Sequence, residues 1–224
     1  MADYATVAEF KQAVPLVSTD AARDAAISVM LAAASRTIDQ YCNRPDGFVA
    51  DETATPRLFA GDGSSIIRID DAVEVTLVEV LDSPTDTAYT AWAATDWIPF
   101  SGDSRFPNFN SLPYDQIMVA ANSSYSGFTD SRFTTRGGFK PIRTGTRSVP
   151  TVRVTARWGY AAQVPPQVKQ ACIAQAARWW KRGQSSWADT MAGADFGQLM
   201  YTKVLDPDIQ LILERGRFVR PAIA

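Results

Sequence analysis

The chain has 224 residues, of which 46% are hydrophobic and 21% charged, and its net charge at pH 7 is −2. This composition is typical of a globular protein with a sizeable core and excludes wholesale disorder. The sequence contains no histidine, which excludes catalytic triads and metal centres that depend on an imidazole and leaves few ordinary enzyme classes.

Neither a membrane span nor a secretory signal is expected. The longest run of small and apolar residues, 25–34, is about half of what a bilayer requires, and the N-terminus lacks a basic and an apolar region. The two cysteines, Cys42 and Cys172, have no CxxC partner. Because both fall on apolar positions of predicted helices, we expect buried free thiols. A disulfide between them is the less favoured alternative, since we expect a reducing compartment.

Charge is distributed unevenly along the sequence. Residues 1–130 carry 7 basic and 19 acidic residues, whereas residues 131–224 carry 15 basic and 5 acidic ones. The segment 131–188 contains no carboxylate. We therefore expect this segment to meet a negatively charged partner or to face water.

The N-terminal part predicts two helices. Thr6 and Glu9 form a capping box that opens a short helix ending near Val14. A second helix starts at residues 18–20 and ends at residues 43–45. Its apolar residues follow helical spacing and are expected in the core: Ile27, Met30, Leu31, Ala34, Ile38 and Tyr41.

The middle of the chain predicts a small antiparallel sheet. Residues 57–59 and 66–70, on either side of the turn 61–64, have the pattern of a β-hairpin, and residues 73–78 read as a third strand. Further short strands are expected at 88–92, 97–100, 117–120 and 152–158. Residues 122–148 have no clear period and predict a long loop or extended hairpin arm, which we interpret as a binding arm, with passive disorder as the alternative.

The C-terminal part is again helical. A helix is expected from Pro165–Pro166 to Arg182, followed by a Gly/Ala/Ser-rich connector over 185–201, a last helix from Asp206 to Arg215, and a basic tail. The predicted elements indicate the α+β fold class, with helices at both ends of the chain and an antiparallel sheet between them.

Motifs of site chemistry are absent from the sequence. No phosphate-binding glycine motif follows a strand. The pairs Asp70–Asp71 and Asp206/Asp208 could bind a divalent cation, but the first is expected at a strand end and Asp206 at a helix N-cap, where acids are common. We therefore expect no catalytic residue, no metal and no cofactor.

Three segments in this order resemble the head–tail connector (adaptor) proteins of long-tailed bacteriophages. They are ASRTIDQYCNR at 34–44, the region 57–71, and VRVTARWGY at 152–160 followed by VPP at 164–166 and VKQA at 168–171. The similarity covers about residues 6–120 and 148–220, and the arm departs from it. It implies a small helical bundle core, formed by residues 1–50 and 160–224 with the C-terminal tail. It also implies an antiparallel β-rich insertion over residues 51–159, with 122–148 as a long extended arm or loop. The implied role is a non-enzymatic structural virion protein at the head–tail junction, present in the host cytoplasm during assembly.

The resemblance also implies partners. These are other copies of the chain in a ring of about twelve, the portal protein above it, a stopper or tail-completion protein below it, and packaged DNA in the channel that the ring extends; no membrane is implied. In such a ring the acidic part of one copy can meet the basic part of its neighbour, and we favour this use for much of the charge. Because the C-terminal part of the family reaches the portal, the candidate portal contacts are Trp187, Arg215, Arg217, Phe218 and Arg220, with a frayed, solvated tail as the alternative.

The basic arm has three interpretations. Its cations are Arg132, Arg136, Lys140, Arg143 and Arg147. They contact a neighbouring virion protein, contact the phosphates of channel DNA, or face solvent. Contact with a neighbouring protein is favoured, because DNA must slide through the channel and a basic lining would bind its phosphates. The competing functional class is a non-enzymatic nucleic-acid-binding module that uses the basic segment 131–182, although the sequence pI of about 5.2 weighs against it.

Overall fold

The structure is a computed structural model that describes residues 3–14, 20–102, 109, 111–134, 146–184, 190–193, 197–200 and 205–220. The chain divides into two compact units. Met1–Phe48 and Gln163–Ala224 form a helical unit, and Val49–Ala162 form a β unit inserted between its two parts. The predicted α+β fold class is confirmed.

Four helices build the helical unit: α1 (Val7–Ala13), α2 (Ala21–Tyr41), α3 (Pro166–Gln184) and α4 (Pro207–Arg215). The capping box of Thr6 and Glu9 opens α1 as predicted. Asp20 caps α2 and Asp206 caps α4, each accepting a hydrogen bond from a backbone amide of the first turn. These local signals place the helix starts because each satisfies amides that have no partner inside the helix.

The core of the helical unit lies between the helices. On α2, Ile27, Leu31 and Ile38 are at most 1% exposed, which confirms the predicted apolar stripe, while Met30 and Tyr41 are only partly buried. The facing residues are buried as well: Val168, Ala171 and Cys172 on α3, and Ile209 and Leu213 on α4. Cys42 and Cys172 are buried free thiols, as predicted.

The β unit contains one six-stranded antiparallel sheet. Its strands are β1 (Thr55–Phe59), β2 (Ile66–Val80), β3 (Thr90–Ala91), β4 (Trp97–Phe100), β5 (Tyr114–Val119) and β8 (Val152–Trp158). They follow the order β1-β8-β2-β5-β4, and β3 pairs with the end of β2. Two-stranded ladders are formed by β6 (Arg132–Thr134) with β7 (Thr146–Ser148), and by β9 (Thr190–Gly193) with β10 (Gly197–Met200). The ladder of β9 and β10 lies in the segment 185–201, expected to be a Gly/Ala/Ser-rich connector.

Two predictions for the sheet are wrong. The strands flanking the turn 61–64 do not form a hairpin with each other, because β8 lies between β1 and β2 and pairs with both. The segments 66–70 and 73–78 are not two strands but parts of the continuous strand β2. The register of β2 shifts between Arg68 and Ala72, between Ala72 and Glu74, and between Val75 and Leu77. Such irregularities bend a strand. The first part of β2 pairs with β5, and the second part pairs with β8.

That core is rich in aromatic side chains. Trp158 is 1% exposed, and Trp92 and Trp97 are buried in the same cluster. Phe128 and Tyr125, from the predicted arm, stack on Trp92 with ring centroids 5.2 and 4.2 Å away. Tyr125 and Phe128 therefore pack in the core of the β unit, and the part of the predicted arm that forms a separate ladder starts at Arg132.

Candidate interaction surfaces

A network of hydrogen bonds anchors the arm to the β unit. Thr151 Oγ1 donates to the carbonyl of Thr129 at 2.6 Å and accepts from the Gly61 amide at 3.2 Å. Thr129 Oγ1 donates to the carbonyl of Leu81 at 2.5 Å. The Ser131 amide donates to the carbonyl of Gly61 at 2.8 Å. A Cβ on Gly61 would lie 2.2 Å from the Thr129 carbonyl oxygen, so glycine is required at this close approach. We call these residues the arm root.

Beyond the root the arm is an antiparallel ladder. Arg132 pairs with Ser148, Phe133 with Arg147, and Thr134 with Thr146. The Arg132 side chain is exposed, and its Nε lies 3.4 Å from Asp130 Oδ1. Of the other predicted arm contacts, Arg147 lies on β7, and Arg136, Lys140 and Arg143 lie outside the described residues.

Ion pairs inside the β unit join the acidic and basic halves of the sequence. Arg153 on β8 forms two hydrogen bonds with Glu79 on β2, at 2.5 and 2.6 Å, and Arg157 lies 3.7 Å from Glu74. The hydrogen bond from Arg153 lowers the pKa of Glu79. Neighbouring strands thus neutralise each other where β8, from the basic half, lies beside β2, from the acidic half.

The helical unit contains similar pairs. Lys169 Nζ on α3 lies 2.7 Å from Glu9 on α1, and Arg178 lies 3.0 Å from Asp206 at the start of α4. The residues of the helical unit include 12 basic and 11 acidic side chains, and those of the β unit 10 basic and 13 acidic ones. The strong polarity of the sequence is therefore not a polarity between the two units, and several charges expected to face a neighbouring copy are used within one chain.

The basic tail is held in place as far as residue 220. After the α4 C-cap at Gly216, Arg217 adopts a left-handed backbone with φ of 57°. This turn brings the Phe218 amide to the Leu213 carbonyl at 3.0 Å. Arg44 Nε donates to the carbonyl of Phe218 at 2.7 Å. The Arg220 amide donates to the Cys42 carbonyl at 2.9 Å, so the tail follows the C-terminal end of α2.

The predicted portal contacts differ in exposure. Arg215 and Arg217 are exposed, Arg220 is partly exposed, and Trp187 lies outside the described residues. Phe218 is only 5% exposed, and its ring packs edge-on against Phe48 with centroids 5.7 Å apart. Its aromatic ring is a structural contact of the helical unit, so it is not a surface group in this conformation.

A polar network that the sequence did not predict lies beside the end of α2. The Tyr4 hydroxyl donates to Asp39 Oδ1 and accepts from the Phe48 amide at 2.9 Å. Asp39 Oδ2 lies 3.3 Å from Arg36. Burial is the main cause that raises the pKa of both Tyr4 and Asp39. The adjacent surface pocket, of about 490 Å³, is lined by Arg36, Asp39, Gln40, Asn43, Arg44 and Pro45.

The partners of Asp39 in this network all come from the helical unit. Both oxygens of Asp39 already have partners in Tyr4 and Arg36. Burial also raises the pKa of the Cys42 thiol to about 12 and that of Cys172 to about 11, so neither forms a thiolate near neutral pH. The only sign of this network in the sequence is an aspartate on an apolar helix face.

The candidate cation pairs have other roles. Asp70 forms an ion pair with Arg57 at 2.9 Å, and Asp71 is buried within β2, not at a strand end as predicted. Asp206 caps α4 and pairs with Arg178. In the part of the chain that the structure describes, no three His, Cys, Asp or Glu residues are grouped to hold a metal ion. Among the same residues, no helix is long and apolar enough to span a membrane.

Comparison with solved structures finds matches along nearly the whole chain. A chain in the neck of an empty gene transfer agent (GTA) particle, computed with C6 symmetry, is 18% identical, with 99% of this chain and 95% of that chain covered and a TM-score of 0.51. A chain in the neck of a native GTA particle, computed with C12 symmetry, is 19% identical, with 96% and 90% covered and a TM-score of 0.47. No protein-family model and no curated protein matches this chain. The likeness at a TM-score of 0.51 shows that both units of this chain belong to a fold found in a phage-like particle neck.

Proposed function

We propose that this chain is a structural neck protein of a phage-like particle, a head–tail connector (adaptor) that forms a homo-oligomeric ring beneath the portal. The observation that carries the proposal is the fold shared with a GTA neck chain over 99% of this chain. The family resemblance of the sequence, which rests on the order of short motifs, points to the same class independently. In this role the ring extends the DNA channel and provides the platform for a stopper or tail-completion protein.

The chemistry of the described residues supports a role without catalysis. The buried carboxylate Asp39 is paired, both thiols are buried, and the sequence has no histidine. Its conspicuous features are contact surfaces: a basic arm on a rigid root and a tail fixed against the end of α2. We assign the protein to the virion, at the head–tail junction, with the host cytoplasm as the place of assembly.

Arg215 and Arg217 are the best-placed candidates for contact with the portal. Both are exposed, and the turn that contains them is fixed by Gly216, by the buried Phe218 and by the Arg220 amide. A charged side chain on a fixed turn loses less conformational entropy on binding than one on a free tail. Arg220 and Trp187 complete the proposed contact, and Phe218 supports it from inside the helical unit.

The experiment is co-sedimentation of the purified chain with DNA-filled capsids that carry a portal but lack this protein, followed by imaging of the portal vertex. We expect saturable binding and a ring at one vertex per capsid. The double variant Arg215→Ala/Arg217→Ala is expected to bind at least about tenfold more weakly. The control is Arg153→Ala, which removes a cation from the β unit instead. Wild-type chain that does not bind the capsids, or binds without a ring, contradicts the proposal.

A second candidate function is nucleic-acid binding by the basic segment 131–182. It is favoured by the arm, which has five cations and no carboxylate over residues 131–148. Against it, Arg153, Arg157, Lys169 and Arg178 of this segment pair with carboxylates of the same chain. A nucleic-acid module would bind duplex or single-stranded DNA at low salt with an affinity that falls steeply as salt rises. Absence of binding at about 50 mM salt would exclude this candidate.

A further inference from the structure

The outward face of the sheet in the β unit carries an exposed apolar row. Ile66 on β2 and Ile98 on β4 are both cross-strand partners of Met118 on β5. Such partners lie on the same face with Cβ atoms about 5 Å apart. Ile66 is 40% exposed and Ile98 is 38% exposed, whereas the adjacent Ile67 and Trp97 are buried in the core. We call Ile66, Met118 and Ile98 the outer row.

The apolar surface continues beside the outer row. On the same face, Gln116 pairs across the strands with Arg68 and Phe100. Phe109 covers the Phe100 ring, with centroids 5.8 Å apart, and is itself 44% exposed. Phe100 itself is buried, so the exposed apolar side chains on this side are Ile66, Ile98 and Phe109. Exposed large apolar side chains grouped on one unit are typical of an interaction surface.

The body that carries the outer row is acidic, whereas the arm is basic. Outside residues 131–148, the β unit has 13 acidic and 5 basic residues; within them it has 5 basic and no acidic ones. Exposed Asp62 and partly exposed Asp96 lie in the turns that lead into β2 and β4, next to Ile66 and Ile98. The arm adds apolar residues to its cations, namely Phe133, Phe139 and Ile142. Body and arm therefore have complementary charge and matching apolar character.

The arm also needs a surface to pack on. Its ladder of β6 and β7 is separate from the six-stranded sheet. An isolated two-stranded hairpin is marginally stable in water, and it gains stability when one face packs on another element. In a ring, a contact between two different surfaces of neighbouring copies is heterologous and closes by rotation. An arm on each copy and an outer row on each copy form such a pair.

We propose that the arm of one copy packs on the outer row of the next copy, with the arm cations beyond Arg132 facing the acidic body of that neighbour. This inference rests on the proposed ring and names the contact that joins its subunits. The arm root then fixes where each arm leaves its own subunit, and the outer row fixes where it ends.

The test is site-directed disulfide crosslinking in the full chain. Gly138→Cys places a thiol beside Phe139 in the arm, and Ser65→Cys places one beside Ile66 without altering the outer row. The native thiols do not compete, because Cys42 and Cys172 are buried. The control pairs Gly138→Cys with Thr53→Cys, which is exposed ahead of β1, near the opposite end of β8 from the arm root. Mass photometry before oxidation records whether rings have formed.

A ladder of covalent multimers in the Gly138/Ser65 double variant, at least about tenfold more abundant than in the control, is the expected result. An internal disulfide within single chains would mean that each arm lies on its own subunit, and it would overturn the inference. Rings without crosslinks would overturn it as well and leave the proposed function standing. If neither rings nor crosslinks form, even with portal-bearing capsids present, the inference and the proposed function both fail.

Discussion

The hydroxyl of Tyr4 forms hydrogen bonds with two buried groups of the helical unit. It donates to Asp39 and accepts from the Phe48 amide, so it connects the N-terminal segment, α2 and the chain that follows α2. Removing one member of such a network leaves its buried partners without hydrogen bonds, which costs more than the bond itself contributes. This long-range contact of Tyr4 holds the N-terminal segment against α2.

Tyr4→Phe is therefore expected to lower the free energy of unfolding by about 1–3 kcal/mol. The matched control is Tyr41→Phe, because the Tyr41 hydroxyl donates to Glu214 at 2.5 Å in an exposed pair. The control should lose less than about 1 kcal/mol. Urea unfolding followed by circular dichroism measures both. Equal losses for the two variants would show that the Tyr4 network contributes nothing beyond an exposed hydrogen bond.

Glu9 makes a pH-dependent contribution. The hydrogen bond from Lys169, together with those from Thr6, lowers the pKa of Glu9 from 4.5 to about 2. A folded pKa below the unfolded one favours the ionised group in the folded state, so this contribution is complete above about pH 4.5 and is lost as the pH falls through about 2. Since the Glu9 side chain is 35% exposed, the effect is expected to be small.

Urea unfolding at about pH 5 and about pH 2.5 checks this contribution. Wild type is expected to be more stable than Glu9→Gln at the higher pH, and the difference should shrink at the lower pH. A difference between the two proteins that does not change with pH would contradict the assigned pKa of Glu9.

At the scale of elements, α2 has one buried face and one exposed face. Leu31 is 1% exposed in the helical core, whereas Val29, two residues before it, is 70% exposed. The periodicity of the sequence predicted the buried face, since apolar residues recur on one side of a helix with about 3.6 residues per turn. The strands behave differently: the turn at 61–64 is visible in the sequence, but β1 pairs with β8, which lies far along the chain.

Leu31→Ala is expected to lower the free energy of unfolding by about 2–5 kcal/mol, because it leaves a cavity in a packed core. Val29→Ala on the same helix should change it by less than about 0.5 kcal/mol. Both values come from chemical denaturation of the full chain. A loss at Leu31 as small as that at Val29 would mean that the core of the helical unit does not lie on the assigned face of α2.

At the scale of the whole molecule, we expect the arm beyond its root to contribute little to the stability of the fold. Its root is bonded to the β unit, but the ladder beyond the root pairs only with itself among the described strands. Thr134 and Thr146 are opposite each other in that ladder. Residues 135–145 can therefore be replaced by Asn-Gly, the sequence that favours a two-residue hairpin turn.

This shortened chain is expected to unfold within about 0.5 kcal/mol of the wild type and to lose ring assembly. Circular dichroism with urea measures the first, and mass photometry in the presence of portal-bearing capsids measures the second. A control in which the same residues are replaced by an equally long Gly/Ser segment separates the length of the arm from its chemistry. Rings that form normally without residues 135–145 would exclude the arm as the subunit contact.

The sequence by itself determined the features that depend on neighbours along the chain. Capping residues located the starts of α1, α2 and α4, helical periodicity identified the core face of α2, and the lack of histidine excluded chemistry that depends on an imidazole. The sequence also located the cations of the arm and tail, because a run without carboxylates is visible without a structure. That these cations contact a partner stays a prediction.

Only the tertiary structure decided which strands pair and which charges remain for a partner. β8 inserts between β1 and β2, Arg153 meets Glu79, and Phe218 turns into the helical unit to pack on Phe48. These outcomes depend on burial and pairing between residues that are distant in sequence, for which turn signals and local charge counts carry no information. The outer row became visible for the same reason, since Ile66, Met118 and Ile98 become neighbours only when their strands pair.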